Sequence, residues 1–214
     1  MLTHKVDIER PTYLALLLAA ALVSFGWAQW SLNQLGAAQA QAPVLIVHDR
    51  DALIAALQDA PFAGPAGEDG RPLGDPVWLI AHIGCEGCDA ATAQALARLD
   101  RAGLTAQVLF APDTYPAAPE TAALIATVAR TGEAAHFQTW RDGRPLPPVI
   151  TDPAEAEGYG ELARQSAERL AAVLAANGLD AALPVLIWRD EGSWRALPAG
   201  RPAAAAAIQR DLQS

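Results

Sequence analysis

The junction between Val77-Trp78-Leu79-Ile80-Ala81 and Cys85-Glu86-Gly87-Cys88 constrains this sequence more than any other feature, because an alanine-rich stretch of helical periodicity follows it directly. A buried strand, a tight turn and a helix start have to succeed one another there. Cys85 then falls at a helix N-terminus, where unpaired backbone N–H groups and the macrodipole favour a thiolate. Cys88 lies one helical turn further on and can close a disulfide with little backbone movement. The arrangement is that of a dithiol redox site. No other cysteine occurs in the chain, so there is no framework of structural disulfides and the fold rests on its hydrophobic core.

Other chemistries lack their residues. A structural zinc site needs two ligands beyond one C-x-x-C, and no second C-x-x-C or H-x-x-H exists, so no metal is expected. Phosphate-binding loops, the Gly-rich dinucleotide fingerprint and Ser-His-Asp spacing are missing too, and no cofactor is expected. The net charge is −9 and Lys5 is the sole lysine. That balance argues against a nucleic-acid partner, since no basic stripe is present to displace counterions from phosphate.

The first residues read as an anchor. From Pro11 to Trp30 there is no charged side chain, and a helix of that length spans roughly 30 Å, the hydrocarbon thickness of a bilayer. Tyr13 at one end and Trp27 and Trp30 at the other suit the interfacial belts, and Lys5 and Arg10 precede the span. The expected order is a cytoplasmic tail at 1–10, a transmembrane anchor at 11–35, a linker at 36–42 and an exported domain at 43–214. A cleaved signal peptide is the competing reading, with small-residue sites around Ala38-Gln39-Ala40.

Within 43–214, strands are predicted at Val44 to Val47, Val77 to Ala81 and Ala106 to Phe110, with helices at Asp51 to Leu57 and Cys88 to Ala102 between them. This β-α-β-α-β order is the pattern of a sheet with parallel crossovers. A mostly helical insertion at about 113–178 follows. Gly132 breaks its first helix, Asp152-Pro153 caps a later one, and Gly158 and Gly160 are expected to interrupt that helix. Pro184 to Leu197 reads as a β-hairpin, and a last helix carries Ile208 and Leu212.

These residues resemble a known family. Ile80-Ala81-His82-Ile83-Gly84-Cys85-Glu86-Gly87-Cys88 is similar to the strand-to-active-site passage of the periplasmic Dsb thiol oxidoreductases, nearer the disulfide-isomerase branch. Val108-Leu109-Phe110-Ala111-Pro112 and Ala182-Leu183-Pro184-Val185 resemble that branch's third strand and its cis-proline loop. The resemblance implies an α/β thioredoxin-like fold with a helical insertion, preceded here by a transmembrane helix. It implies catalysis by Cys85 and Cys88, with substrate bound beside Leu183 and Pro184. Three departures stand out: the Glu86-Gly87 dipeptide, Leu183 where Thr or Val is usual, and no room for the N-terminal dimerisation domain of the soluble isomerases.

In such a mechanism Cys85, the more exposed sulfur, exchanges with the client and Cys88 resolves the mixed disulfide. Glu86 opposes ionisation of Cys85, and neither histidine nor lysine lies inside the motif. The reduction potential is therefore expected toward the thioredoxin end of the roughly −270 to −120 mV range. His82 is read either as a proton-transfer partner or third ligand, or as a partly buried strand residue; His48 and His136 are read as structural. The expected partners are thiols or disulfides of exported proteins, or a Dsb-type redox protein, met in the periplasm from a single-pass anchor in a bacterial inner membrane. Two other readings stay open: a thioredoxin-like copper metallochaperone, for which His136 is the distant histidine, and a redox-silent binding scaffold.

Overall fold

Every side chain of the strand Val77–Ile83 is buried except His82, which is half-buried. A strand covered on both faces reads as one continuous apolar run. The computed structural model describes residues 43–65, 77–147, 152–179, 183–201 and 203–213. Its strands are β1 (Val44–Ile46), β2 (Val77–Ile83), β3 (Ala106–Pro112), β4 (Val185–Asp190) and β5 (Ser193–Pro198), and its helices are α1 (Arg50–Asp59), α2 (Glu86–Arg101), α3 (Pro119–Thr131), α4 (His136–Arg141), α5 (Pro153–Ala176) and α6 (Ala204–Leu212). The predicted tail, anchor and linker at 1–42 lie outside the described residues, and among the described residues no helix is long and apolar enough to cross a membrane.

The result is an α/β domain with a mixed sheet in the order β1-β5-β4-β2-β3. Strands β2 and β3 run parallel through α2, with Val77 opposite Ala106 and Ile83 opposite Pro112. Strands β4 and β5 form an antiparallel hairpin that joins the sheet at β2. Its two-residue turn, Glu191-Gly192, has positive φ at both positions, the backbone that matches the twist of the flanking strands. Helix α5 packs against α1, α3 and β3. On α2, Arg98 Nη1 donates to Ala199 O at 2.9 Å, and Gln209 of α6 donates to Ala102 O at 2.7 Å, which ties α2 and α6 together. Trp78 and Trp188 are core residues, as their strand positions imply, and the buried Trp188 indole N–H reaches Asp211 Oδ2 at 3.1 Å. Phe110 and Phe137 stack at 5.2 Å and join β3 to α4.

Two expectations are corrected. The β-α-β-α-β order predicted parallel crossovers throughout, but β1 pairs antiparallel with β5 at the far edge, Val44 facing Ala196, and runs opposite to β2. A three-residue strand carries too little periodicity to specify its neighbour, and what seats it is a clamp at Asn177 from the end of α5. There the Oδ1 accepts the backbone N–H groups of Val47 and His48 at 2.8 and 2.9 Å. The second correction concerns α5, which runs unbroken through Gly158 and Gly160. Gly160 is buried where α5 meets α3, and a Cβ there would lie 3.7 Å from Ala117 Cβ and 4.0 Å from Ala122 Cβ. The helix runs through this glycine, held by its packing rather than broken there. The cap at Asp152 forms as predicted, its Oδ1 accepting from Ala154 N at 2.9 Å.

Candidate active site

Strand β2 ends at Ile83, and the chain turns into α2 through Gly84 at φ +100°. A side chain at that φ is strained, which explains a glycine there. Cys85 takes the N-cap position with extended backbone, φ −130° and ψ 147°. Its Sγ accepts the backbone N–H of Cys88 at 3.1 Å, and its carbonyl accepts that of Asp89 at 2.9 Å. The sulfur thus stands among the unpaired N–H groups of the helix start. The predicted helix start at Cys88 moves back to Glu86, which is what makes Cys85 the cap.

Cys85 and Cys88 form a disulfide across a Cα–Cα distance of 5.2 Å. Both residues are half-buried, so overall exposure does not distinguish them, while Glu86 and Gly87 between them are exposed. An open cleft of about 410 Å³ borders the pair on the Cys88 side. Its walls are Gly87 and Cys88 of α2, His82 and Asp113 at the strand ends, Glu168 of α5, and Leu183. The Leu183–Pro184 bond is cis, as is Tyr115–Pro116. Leu183, Gly87 and His82 therefore meet Cys88 at one cleft, whereas Pro184 is buried behind it with its carbonyl on Ala199 N at 2.8 Å. His136 is elsewhere, at the start of α4 with its Nε2 3.3 Å from Oε2 of Glu133 in the preceding turn, and His48 is held by its backbone at the Asn177 clamp.

Two carboxylates that the sequence reading did not single out belong to this site. Asp113 is the first residue after β3, and parallel pairing of Ile83 with Pro112 brings it level with the end of β2. Its N–H donates to Ile83 O at 2.8 Å, and its carboxylate lies 4.0 Å from His82 Nδ1. A carboxylate oxygen of Asp113 and the two sulfurs all lie within 4.8 Å of one another. Asp89, in the first turn of α2, accepts the Gly84 N–H at 3.0 Å. The signals in the sequence were an acid four residues after Cys85 and an acid closing the strand that pairs with β2.

Burial shapes the titration of both neighbours. Desolvation holds the His82 imidazole below the usual histidine value, opposed by the nearby Asp113 carboxylate. Desolvation also pushes the Asp89 carboxyl above the usual carboxylate range; the Gly84 N–H and the charge of Arg141 oppose it, and Asp113 adds to it. Chemically, the arrangement is compatible with exchange of the disulfide with a client thiol, and the Asp113 carboxylate stands beside both sulfurs. No protein-family model matches the sequence, and no curated protein matches it.

Proposed function

We propose that this chain is a thiol-disulfide oxidoreductase with a thioredoxin-like fold. The observation that carries the reading is the Cys85–Cys88 disulfide capping α2 directly after β2, beside an open cleft. In the oxidising direction a client thiolate attacks Cys85 Sγ, the Cys85–Cys88 bond breaks, and Cys88 leaves as a thiolate. A second client thiolate then attacks the client sulfur of the mixed disulfide and releases Cys85. The client has lost two electrons and gained a disulfide, and the site holds the dithiol. In the reducing direction Cys85 attacks a client disulfide and Cys88 resolves the product. Leu183 lines the cleft where the client backbone would lie, and Pro184 fixes the loop that presents it.

The charge-free stretch from Pro11 to Trp30 supports an inner-membrane anchor with the domain in the periplasm. Exported protein thiols or disulfides, or a partner redox protein of the Dsb type, are then the clients.

The test is equilibration of the purified chain in glutathione buffers, with thiols trapped by alkylation and counted by mass. The expected result is a reversible two-electron transition confined to Cys85 and Cys88. Thiols that never re-form the intramolecular disulfide would overturn the reading and leave the binding scaffold in its place. Alkylation of intact cells from outside the inner membrane, labelling the reduced pair, tests the location.

A further inference from the structure

We infer that the reduced pair Cys85 and Cys88, together with Asp113, binds one Zn²⁺ ion, and that the disulfide abolishes this site. One donor is at the N-cap of α2, one in its first turn, and the third on the residue that follows β3, and all three atoms already lie within 4.8 Å of one another. The Asp113 backbone is pinned to β2 by its N–H on Ile83 O at 2.8 Å, so the sheet sets the place of the carboxylate. A tetrahedral Zn²⁺ needs sulfurs about 3.8 Å apart and a sulfur–oxygen distance of about 3.6 Å. Breaking the S–S bond lets the sulfurs separate to that spacing, and the Asp113 carboxylate, within 4.8 Å of both, has only a short way to close. Its side chain is 39 % exposed and faces the open cleft, which leaves the fourth position to water. Three protein ligands and one open position is an accepted zinc arrangement.

Charge gives the site its reason to bind. Reduction creates two ionisable sulfurs beside the Asp113 carboxylate, which has the half-buried His82 Nδ1 at 4.0 Å, and a dication relieves the repulsion among three anionic donors. Two thiolates disfavour the hard ions Mg²⁺ and Ca²⁺, and Cu(I) is satisfied by two thiolates without Asp113. The steps balance. A dithiol reductant gives two electrons and two protons to the Cys85–Cys88 bond and becomes a disulfide itself; Zn²⁺ then displaces the two thiol protons. Metal binding in the exported domain would thus hold the pair reduced.

The test uses the full chain in detergent micelles, reduced, freed of reductant without oxygen, and titrated with Zn²⁺ against a chromophoric chelator. One Zn²⁺ per reduced chain and none per oxidised chain is expected. Asp113→Asn should weaken Zn²⁺ at least tenfold while Cu(I) binding changes less than twofold. The main-chain bond from residue 113 to Ile83 survives that substitution, and the unfolding midpoint of the oxidised variant checks the fold. Zn²⁺ should also raise the apparent reduction potential, by about 30 mV for each tenfold excess over its dissociation constant. No binding to the reduced chain, equal binding to the oxidised chain, one ion shared by two chains, or unchanged affinity in Asp113→Asn would each overturn the inference. Thiols are counted before each titration, so failure of the disulfide to cycle reversibly, which bears on the oxidoreductase reading, is seen separately.

Discussion

The backbone N–H of Gly84 is bonded to Oδ1 of Asp89 at 3.0 Å, so the first turn of α2 grips the turn that delivers Cys85. That grip holds a carboxylate whose desolvation outweighs its hydrogen bond and the charge of Arg141. The folded-state pKa is therefore above the unfolded value of 3.8. The sign follows: stability from this group is fully present in acid and is lost as pH rises through the folded pKa. Asp89→Asn keeps an acceptor and removes the charge. It is expected to match or exceed the wild type at pH 7 and to lose any advantage in acid. Asp89→Ala removes the acceptor and should cost about 1 kcal/mol. Urea unfolding of the oxidised proteins at neutral and acid pH checks both.

Gly84 itself is constrained twice. Its φ is +100°, and a Cβ there would sit 3.3 Å from Thr121 Oγ1 and 3.6 Å from Thr121 Cγ2. Gly84→Ala should cost about 1–3 kcal/mol. Adding Thr121→Ala relieves the contact but not the backbone strain, so the double variant should recover only part of the loss. Full recovery in a denaturation series would assign the whole effect to Thr121.

What the sequence made legible was local. Strand, turn, cap and helix follow one another without a break from Val77 to Arg101, and their periodicities place the two sulfurs at a helix start. The Asp152 cap and the hairpin between Pro184 and Leu197 are of the same kind. What stayed hidden depends on partners far along the chain. Asp113 approaches the sulfurs because Ile83 and Pro112 are in register, and nothing in the residues near Cys85 encodes that pairing. Strand β1 finds β5 across most of the domain, helped by Asn177. Gly160 reads as a helix breaker, yet it is buried in the packing of α5 against α3 and the helix runs through it.

The carboxylates around the sulfurs bear on the redox poise. Asp113 lies within 4.8 Å of both sulfurs, and Glu86 and Asp89 occupy the first turn of α2. Negative charge disfavours a thiolate, and a destabilised reduced form lowers the reduction potential. The Cys85–Cys88 couple should therefore lie below about −150 mV. Asp113→Asn should raise it by on the order of 10–30 mV, measured in glutathione or dithiol buffers containing a chelator. A potential that falls on neutralising Asp113 would contradict this account.

Asn177 spends its whole side-chain amide on main-chain partners. Oδ1 accepts from Val47 N and His48 N, while Nδ2 donates to His48 O at 3.1 Å and Val173 O at 2.8 Å. Asn177→Ala should cost about 1–3 kcal/mol and loosen the edge strand β1. Asn177→Asp keeps the two acceptor contacts and loses both donors, so it should fall between the two. Amide exchange at residues 44–48 would report the loosening directly, faster in Asn177→Ala than in the wild type.

On α5, Glu161 receives a fork from Arg164, Nε to Oε2 and Nη2 to Oε1, both at 2.8 Å, and a third bond from Gln165 at 2.7 Å. Arg164 also pairs with Glu168 and lies over the Tyr115 ring at 5.0 Å. The hydrogen bonds from Arg164 and Gln165 hold the Glu161 carboxyl at about 2, against 4.5 in the unfolded chain. Because the folded pKa is depressed, the stabilisation is present above pH 4.5 and is lost as pH falls through about 2. Glu161→Gln should therefore be less stable than the wild type at pH 6, and the two should converge as the pH approaches 2. The pair is surface-lying, so salt should shrink the difference as well. Urea midpoints of both proteins, taken across that pH range at low and high ionic strength, test the argument, and a gap that widened in acid would refute it.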